Sequence, residues 1–129
     1  WLQKKNVSVN LSLSDDEEIK QLNLEFRNID KATNVLSFAN IDDEDFDHYL
    51  SQNEDIELGD IIISLSTMLQ QSVDEGISLH DHYCHILVHA LLHLLGYDHI
   101  EPEEAKEMES EEIRILKSFN IDNPYQENI

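Results

Sequence analysis

The stretch LHDHYCHILVHALLHLLGYDH, residues 79–99, is the most apolar part of the chain and holds every histidine except His48. From Leu79 to Leu95 it is hydrophobic almost all round, the mark of a helix buried at the centre of a fold. His85, His89 and His93 recur every four residues and therefore lie in one stripe along that helix. Gly96 then ends it, because glycine can take a left-handed conformation and turn the chain back. The turn brings His99 toward His93.

The three stripe histidines cannot share one ion. Eight residues of helix rise about 12 Å, whereas zinc takes imidazole nitrogens at about 2.0–2.1 Å. Neighbours four apart can share it, with a third ligand arriving from beyond the glycine. This favours His89, His93 and His99 as the metal set and leaves His85 as a supporting or packing residue. Imidazole ligands favour Zn2+, one ion, and three protein ligands leave a coordination position open for chemistry. Asp98 reads as a turn residue or as an acceptor that orients a histidine more than as a fourth ligand. The pattern HxxxHxxGxxH is the frame of a metzincin-type metalloprotease, except that Ala90 stands where such a protease has its glutamate base. Peptide hydrolysis needs that base to deprotonate water and reprotonate the leaving amine. Phosphodiester cleavage asks for less, since a metal can activate water or polarise the phosphoryl oxygen while a guanidinium neutralises the other oxygens. Arg27 is the candidate guanidinium.

Working outward, Val7, Val9, Leu11 and Leu13 alternate with polar residues as a half-buried strand does. Ser14, Asp15 and Asp16 open a helix over DDEEIKQLNLEFRN, with Ile19, Leu22 and Phe26 on one face and Arg27 near its C-terminal end. NVLSF, residues 34–38, reads as a short strand. The acidic IDDEDFDHYLSQNEDIE, residues 41–57, reads as a long solvated loop. GDIIIS, residues 59–64, is a β-branched strand bounded by Gly59, and Ser66 caps a helix that stops at Gly76. A last helix opens at Pro102 and places Ala105, Met108, Ile113 and Leu116 on roughly one face. The order implies an α+β fold, a small mixed sheet packed on helices with the histidine helix central. At 129 residues the chain is one domain's worth, 1–129.

Composition narrows the functional classes. No apolar run approaches the roughly 20 residues that span a bilayer, so no membrane partner is expected. The start, WLQKKNVSV, shows no export signal; the single cysteine, Cys84, which reads as a small buried side chain, rules out an intrachain disulfide and fits a reducing compartment, with the cytoplasm favoured. A formal charge of −20 repels nucleic acid on average, so an anionic substrate must be drawn in locally. Of the eight basic residues only Arg27 and Lys31 fall close to another motif.

Three blocks in order, LNLEFRNIDKATNVLSF at 22–38, LGDIIIS at 58–64 and HILVHALLHLLGYDH at 85–99 followed by EEAKEME, resemble the YbeY endoribonucleases, also called rRNA maturation factors. The resemblance implies a compact α+β fold with zinc on His89, His93 and His99. It implies metal-dependent cleavage of single-stranded RNA in ribosomal RNA processing, in association with the ribosome and with no DNA substrate. Arg27 matches the arginine of the active-site cleft, and Lys31 and Ser37 would lie near the substrate path. Ala32 and Ala39 stand where the family commonly has proline, Asn34 where aspartate is frequent, and Ala90 where glycine is usual. Alanine at 90 favours the helix by roughly 0.8–1 kcal/mol over glycine, but its methyl would meet a substrate running close to the backbone there.

The leading expectation is thus a zinc-dependent endoribonuclease, with water or the RNA 2′-hydroxyl as nucleophile. A metalloprotease-like hydrolase and a metal-stabilised ribosome-binding factor with little catalysis are the alternatives.

Overall fold

The structure, a computed structural model, describes residues 5–31, 33–97 and 101–125. Its elements are β1 (Asn6–Ser14), α1 (Asp16–Arg27), β2 (Val35–Ala39), a 3-10 turn (Asn40–Asp42), α2 (Phe46–Gln52), β3 (Asp55–Ser64), α3 (Leu65–Glu75), α4 (Leu79–Leu94) and α5 (Pro102–Ser118). The sheet is mixed, as expected: β3 lies in the middle, parallel to β1 and antiparallel to β2.

β3 is central because it buries apolar side chains along its length, but the alternation slips partway. Ile56 and Leu58 are buried, and so are Ile61 and Ile63. Even and odd positions can share a face only if one extra residue intervenes. The register supplies it: Ser8 faces Glu57 and Asn10 faces Asp60, so β3 uses an additional residue around Leu58 and Gly59. Gly59 sits at φ +145°, and a Cβ there would fall 2.0 Å from the Phe38 carbonyl oxygen. Glycine is required at this bulge, inside the strand. The sequence reading placed Gly59 at the strand's boundary; β3 instead begins at Asp55.

The sheet is covered on both faces. On one, Ile61 and Ile63 with Val35 and Ala39 pack against Ile86, Ala90 and Leu94 of α4. Burying each isoleucine contributes roughly 1.5–3 kcal/mol. Neighbouring residues of a strand point oppositely, so Phe38 faces the other side, where it meets Phe26 of α1 edge-on at 5.4 Å between centroids. The histidine helix and the helix that ends in Arg27 thus lie on opposite faces of the sheet.

Three further expectations are corrected. The acidic stretch 41–57 is not a loop: it contains α2 and the start of β3. Phe46, Tyr49 and Leu50 supply an i, i+3, i+4 stripe that packs against the core, with Phe46 buried, and this short stripe outweighs the surrounding carboxylates. The cap of α3 is Ser64, whose hydroxyl accepts from Thr67 N at 3.3 Å, and Ser66 lies inside the helix. β1 is less buried than its alternation implies, since Val9 packs on the core while Val7, Leu11 and Leu13 are exposed along an edge strand.

Ser64 also joins two helix starts. Its hydroxyl and that of Thr67 both donate to Asp16 Oδ1, beside Asp15, which caps α1 by accepting from Glu18 N. These hydrogen bonds lower the Asp16 pKa from its ordinary value.

Candidate metal centre

Helix α4 carries the site, and its ending is built as the sequence predicts. Gly96 N donates to His93 O at 3.0 Å and Tyr97 N to Leu92 O at 3.0 Å, with Gly96 at φ +103°. This is a Schellman closure, which satisfies the last carbonyls while turning the chain sharply. Asp98 and His99 lie outside the described residues.

His89 and His93 stand one turn apart with their rings edge to face, centroids 4.9 Å apart. Each keeps partial exposure on a helix otherwise packed into the core. Behind His89 lies a group that the sequence reading missed. Glu112 of α5, completely buried, accepts from His89 Nδ1 and from the Tyr125 hydroxyl. His85 Nε2 approaches its Oε2 at 3.5 Å and the Tyr125 hydroxyl at 3.3 Å. Burial alone would raise the Glu112 pKa, but hydrogen bonds from His85, His89 and Tyr125 outweigh it and hold the carboxyl at about 2. Burial, then the bond to Glu112, pushes the Tyr125 hydroxyl above its usual range. His85 is thus placed beside Glu112 and Tyr125.

The signal for Glu112 was present in the α5 stripe. Met108 and Leu116 are buried as expected, Ala105 and Ile113 only partly, and the position four after Met108 and four before Leu116 is Glu112. A carboxylate in the middle of a buried stripe needs partners.

Ala90 is 1% exposed within the core cluster beside Ile61 and Ile63. Its methyl meets the sheet, which answers the concern that it would obstruct a substrate. Position 90 carries no carboxylate and is packed into the core.

The remaining candidates are distributed around β2. Ser37 lines a small cavity of about 130 Å³ with Ala39, Asp42, His93, Gly96 and Tyr97, so it is brought to the histidines. Arg27 ends α1 on the opposite face of the sheet, exposed, and its side chain makes no hydrogen bond or ion pair with another described residue. β2, the strand next to α1 in the chain, is an edge strand of the sheet. Lys31 is exposed in the connection to β2, its carbonyl held by Asn23 Nδ2 at 2.9 Å. At the other end of the histidine row, a cavity of about 950 Å³ is lined by Gln71, Asp81, His82, His85, Asn123 and Tyr125 among others. There Gln71 Oε1 accepts from Asn34 Nδ2 at 2.9 Å and lies 2.8 Å from His82 Nε2. Asn34 can donate in this way, whereas the aspartate more frequent at that position cannot. Cys84 is half-buried.

Two of the three expected donors are placed as metal ligands would be. Two imidazoles one helical turn apart, one of them held from behind by a carboxylate, are the arrangement that metal-binding histidines require. No group of three or more histidine, cysteine or carboxylate side chains among the described residues completes such a site, and the expected third ligand, His99, falls outside them. No helix among them is long and apolar enough to cross a membrane.

An α+β protein with a row of imidazoles on its central helix, open on one side and backed by a buried carboxylate, has the form of a metal-assisted hydrolase. The family model described as Endoribonuclease YbeY matches residues 2–120. The chain belongs to the YbeY endoribonuclease family. Proteins named Endoribonuclease YbeY are 44% identical in Paramagnetospirillum magneticum, over 94% of this chain and 73% of that protein, and 43% identical in Acinetobacter baumannii, over 96% and 77%. The Neisseria meningitidis relative of the same name is 39% identical over 99% of this chain and 76% of its own length. The solution structure of TM1509 from Thermotoga maritima is similar in fold, with a TM-score of 0.52 at 21% identity, over 95% of this chain and 80% of that one.

Proposed function

We propose that this chain, acting as one domain over 1–129, is a zinc-dependent endoribonuclease that cuts single-stranded RNA during ribosomal RNA maturation, in the cytoplasm and in contact with the ribosome. The observation that carries the metal assignment is His89: its Nδ1 is engaged by the buried Glu112, which commits the other ring nitrogen to the open side, next to His93. His89, His93 and His99 hold one Zn2+, which when bound supplies a Lewis acid for the phosphoryl oxygen and lowers the pKa of water.

The chain's own residues supply the rest. Arg27 comes around the β2 edge to neutralise charge on the non-bridging phosphate oxygens, an interaction that strengthens as charge develops in the transition state. Lys31 binds the strand nearby, and Ser37, beside His93, offers a hydroxyl to it. The histidine row leads from the larger cavity to the smaller, giving an extended strand room on either side of the metal. With a formal charge of −20 on the chain, Arg27, Lys31 and the metal are what makes the site attractive to RNA.

The test is a substrate panel. Zinc-loaded and chelator-treated protein is incubated with single-stranded RNA, duplex RNA and an unfolded protein. Cleavage of single-stranded RNA alone, lost on chelation and restored by zinc, is expected. Peptide cleavage would establish the protease alternative, and no cleavage by fully folded, zinc-loaded protein would favour the binding factor.

A further inference from the structure

Glu112 is an unusual residue for the interior. It is 0% exposed, and its described partners are two imidazoles and a phenol, with no lysine or arginine among them. A carboxylate tying α5 to α4 for stability alone would be replaceable by apolar packing, often at no cost. Its placement is specific in another way. One oxygen takes His89 Nδ1, while the other takes the Tyr125 hydroxyl and faces His85 Nε2 at 3.5 Å. The carboxylate is thus gripped from the far side by the segment that follows α5, and its near side meets one ring nitrogen of His89.

We infer that Glu112, fixed by Tyr125 and His85, is a positioning residue for His89: it holds the imidazole in the Nδ1–H form and presents Nε2 to the zinc. This rests on the metal reading above. A neutral imidazole carries one proton, and the nitrogen that carries it cannot bind a metal. An ionised carboxylate only accepts, so its partner nitrogen must be the protonated one. The geometry therefore selects both the tautomer and the ring's rotation before any metal arrives.

Glutamine at 112 is the discriminating substitution, because it keeps the size while its amide can donate as well as accept. Donation to Nδ1 would move the imidazole proton to Nε2 and block the metal-facing nitrogen. Two readouts are needed. The first is the tautomer of His89 in metal-free protein, read from ring 15N shifts and expected as Nδ1–H, with its population reduced in Glu112→Gln. The second is Zn2+ affinity, measured by competition with a chromophoric chelator. It is expected to fall roughly 10–100-fold in Glu112→Gln with the far-UV circular dichroism unchanged, the range found when the residue behind a metal-bound histidine is altered. Tyr125→Phe, in a more exposed residue, removes one grip on the carboxylate and is expected to weaken zinc several-fold; it serves if Glu112→Gln does not fold. A metal-free His89 in the Nε2–H form overturns the positioning role while leaving the metal reading intact. Unchanged zinc affinity in folded Glu112→Gln, or in Tyr125→Phe should the other variant not fold, also overturns it. An unmodified protein that binds no zinc sinks the metal reading itself, and the proposal with it.

Discussion

His89 and Arg27 are both assigned to the site, yet the fold holds them in opposite ways. His89 sits on a core helix, its ring tied to a buried carboxylate that is tied in turn to a tyrosine. Arg27 ends a helix on the far face of the sheet, its side chain with no hydrogen bond or ion pair to another described residue. The contrast matches what each must do. A metal ligand has to be in place beforehand, since ordering it at the moment of binding would cost affinity. A phosphate-binding arginine is more useful when it can close on a strand after the strand has entered. Under the proposed assignment, one half of the site is prebuilt, and the other is left to be completed by its substrate.

The prebuilt half gives the largest expected effects. His93→Ala removes a proposed ligand between His89 and the glycine turn, and metal content should fall to background together with RNA cleavage. Half-exposed His93 is not a core residue, so the thermal midpoint of the metal-free protein should move little. Stoichiometric zinc in purified His93→Ala would show that the donor set is not the one assigned. Gly59→Ala attacks the scaffold. The added methyl would meet the Phe38 carbonyl at 2.0 Å in a backbone conformation that L-residues avoid, so a loss of at least about 3 kcal/mol in urea denaturation is expected, or failure to fold. A shift within about 0.5 kcal/mol would mean that the β2–β3 pairing can relax more than the bulge implies.

Arg27→Ala probes the open half and should separate from both. Metal content and stability stay as they were, while single-stranded RNA cleavage at saturating substrate falls about 10²–10³-fold, the range for removing one donor that stabilises developing charge. An effect on KM alone would recast Arg27 as a docking contact for the strand. Unchanged cleavage would remove it from the site and dissolve the comparison.

How much of this was legible in the sequence follows the same division. The helix carrying the histidines, its closure at Gly96 and the α+β class depend on local periodicity and on one glycine, and all three are written within a few residues. Glu112 was harder to see because a glutamate on a helix rich in glutamate reads as solvated surface, and its partners lie on another helix and at Tyr125, 13 residues on. The α2 helix was hidden for a related reason: Phe46, Tyr49 and Leu50 are few among many carboxylates, and only packing against the core makes them decisive. The bulge at Gly59 cannot be read from β3 alone, since the parity change has meaning only against β1. What escaped in each case was a property of two elements meeting.

The smallest expected effect concerns the anchor of the open half. Asp16, at the start of the helix that ends in Arg27, accepts from Ser64 and Thr67 across to the start of α3. Those hydrogen bonds hold its pKa below the ordinary 3.8. A carboxyl with a lowered folded-state value contributes stability that is fully present above its unfolded value. The contribution drains away as pH falls through the lower folded value. Most of the chain's 28 acidic residues also titrate in acid, so the informative quantity is a difference. The unfolding free energy of the unmodified protein minus that of Asp16→Asn, from urea melts, should be constant from pH 7 to about 5 and should shrink below about pH 4. At neutral pH, Arg27-dependent cleavage should be little changed if the anchor only stabilises. If Asp16→Asn lowers cleavage as much as Arg27→Ala does, the position of α1 is itself part of the chemistry, and the open half is less free than its lack of partners implies.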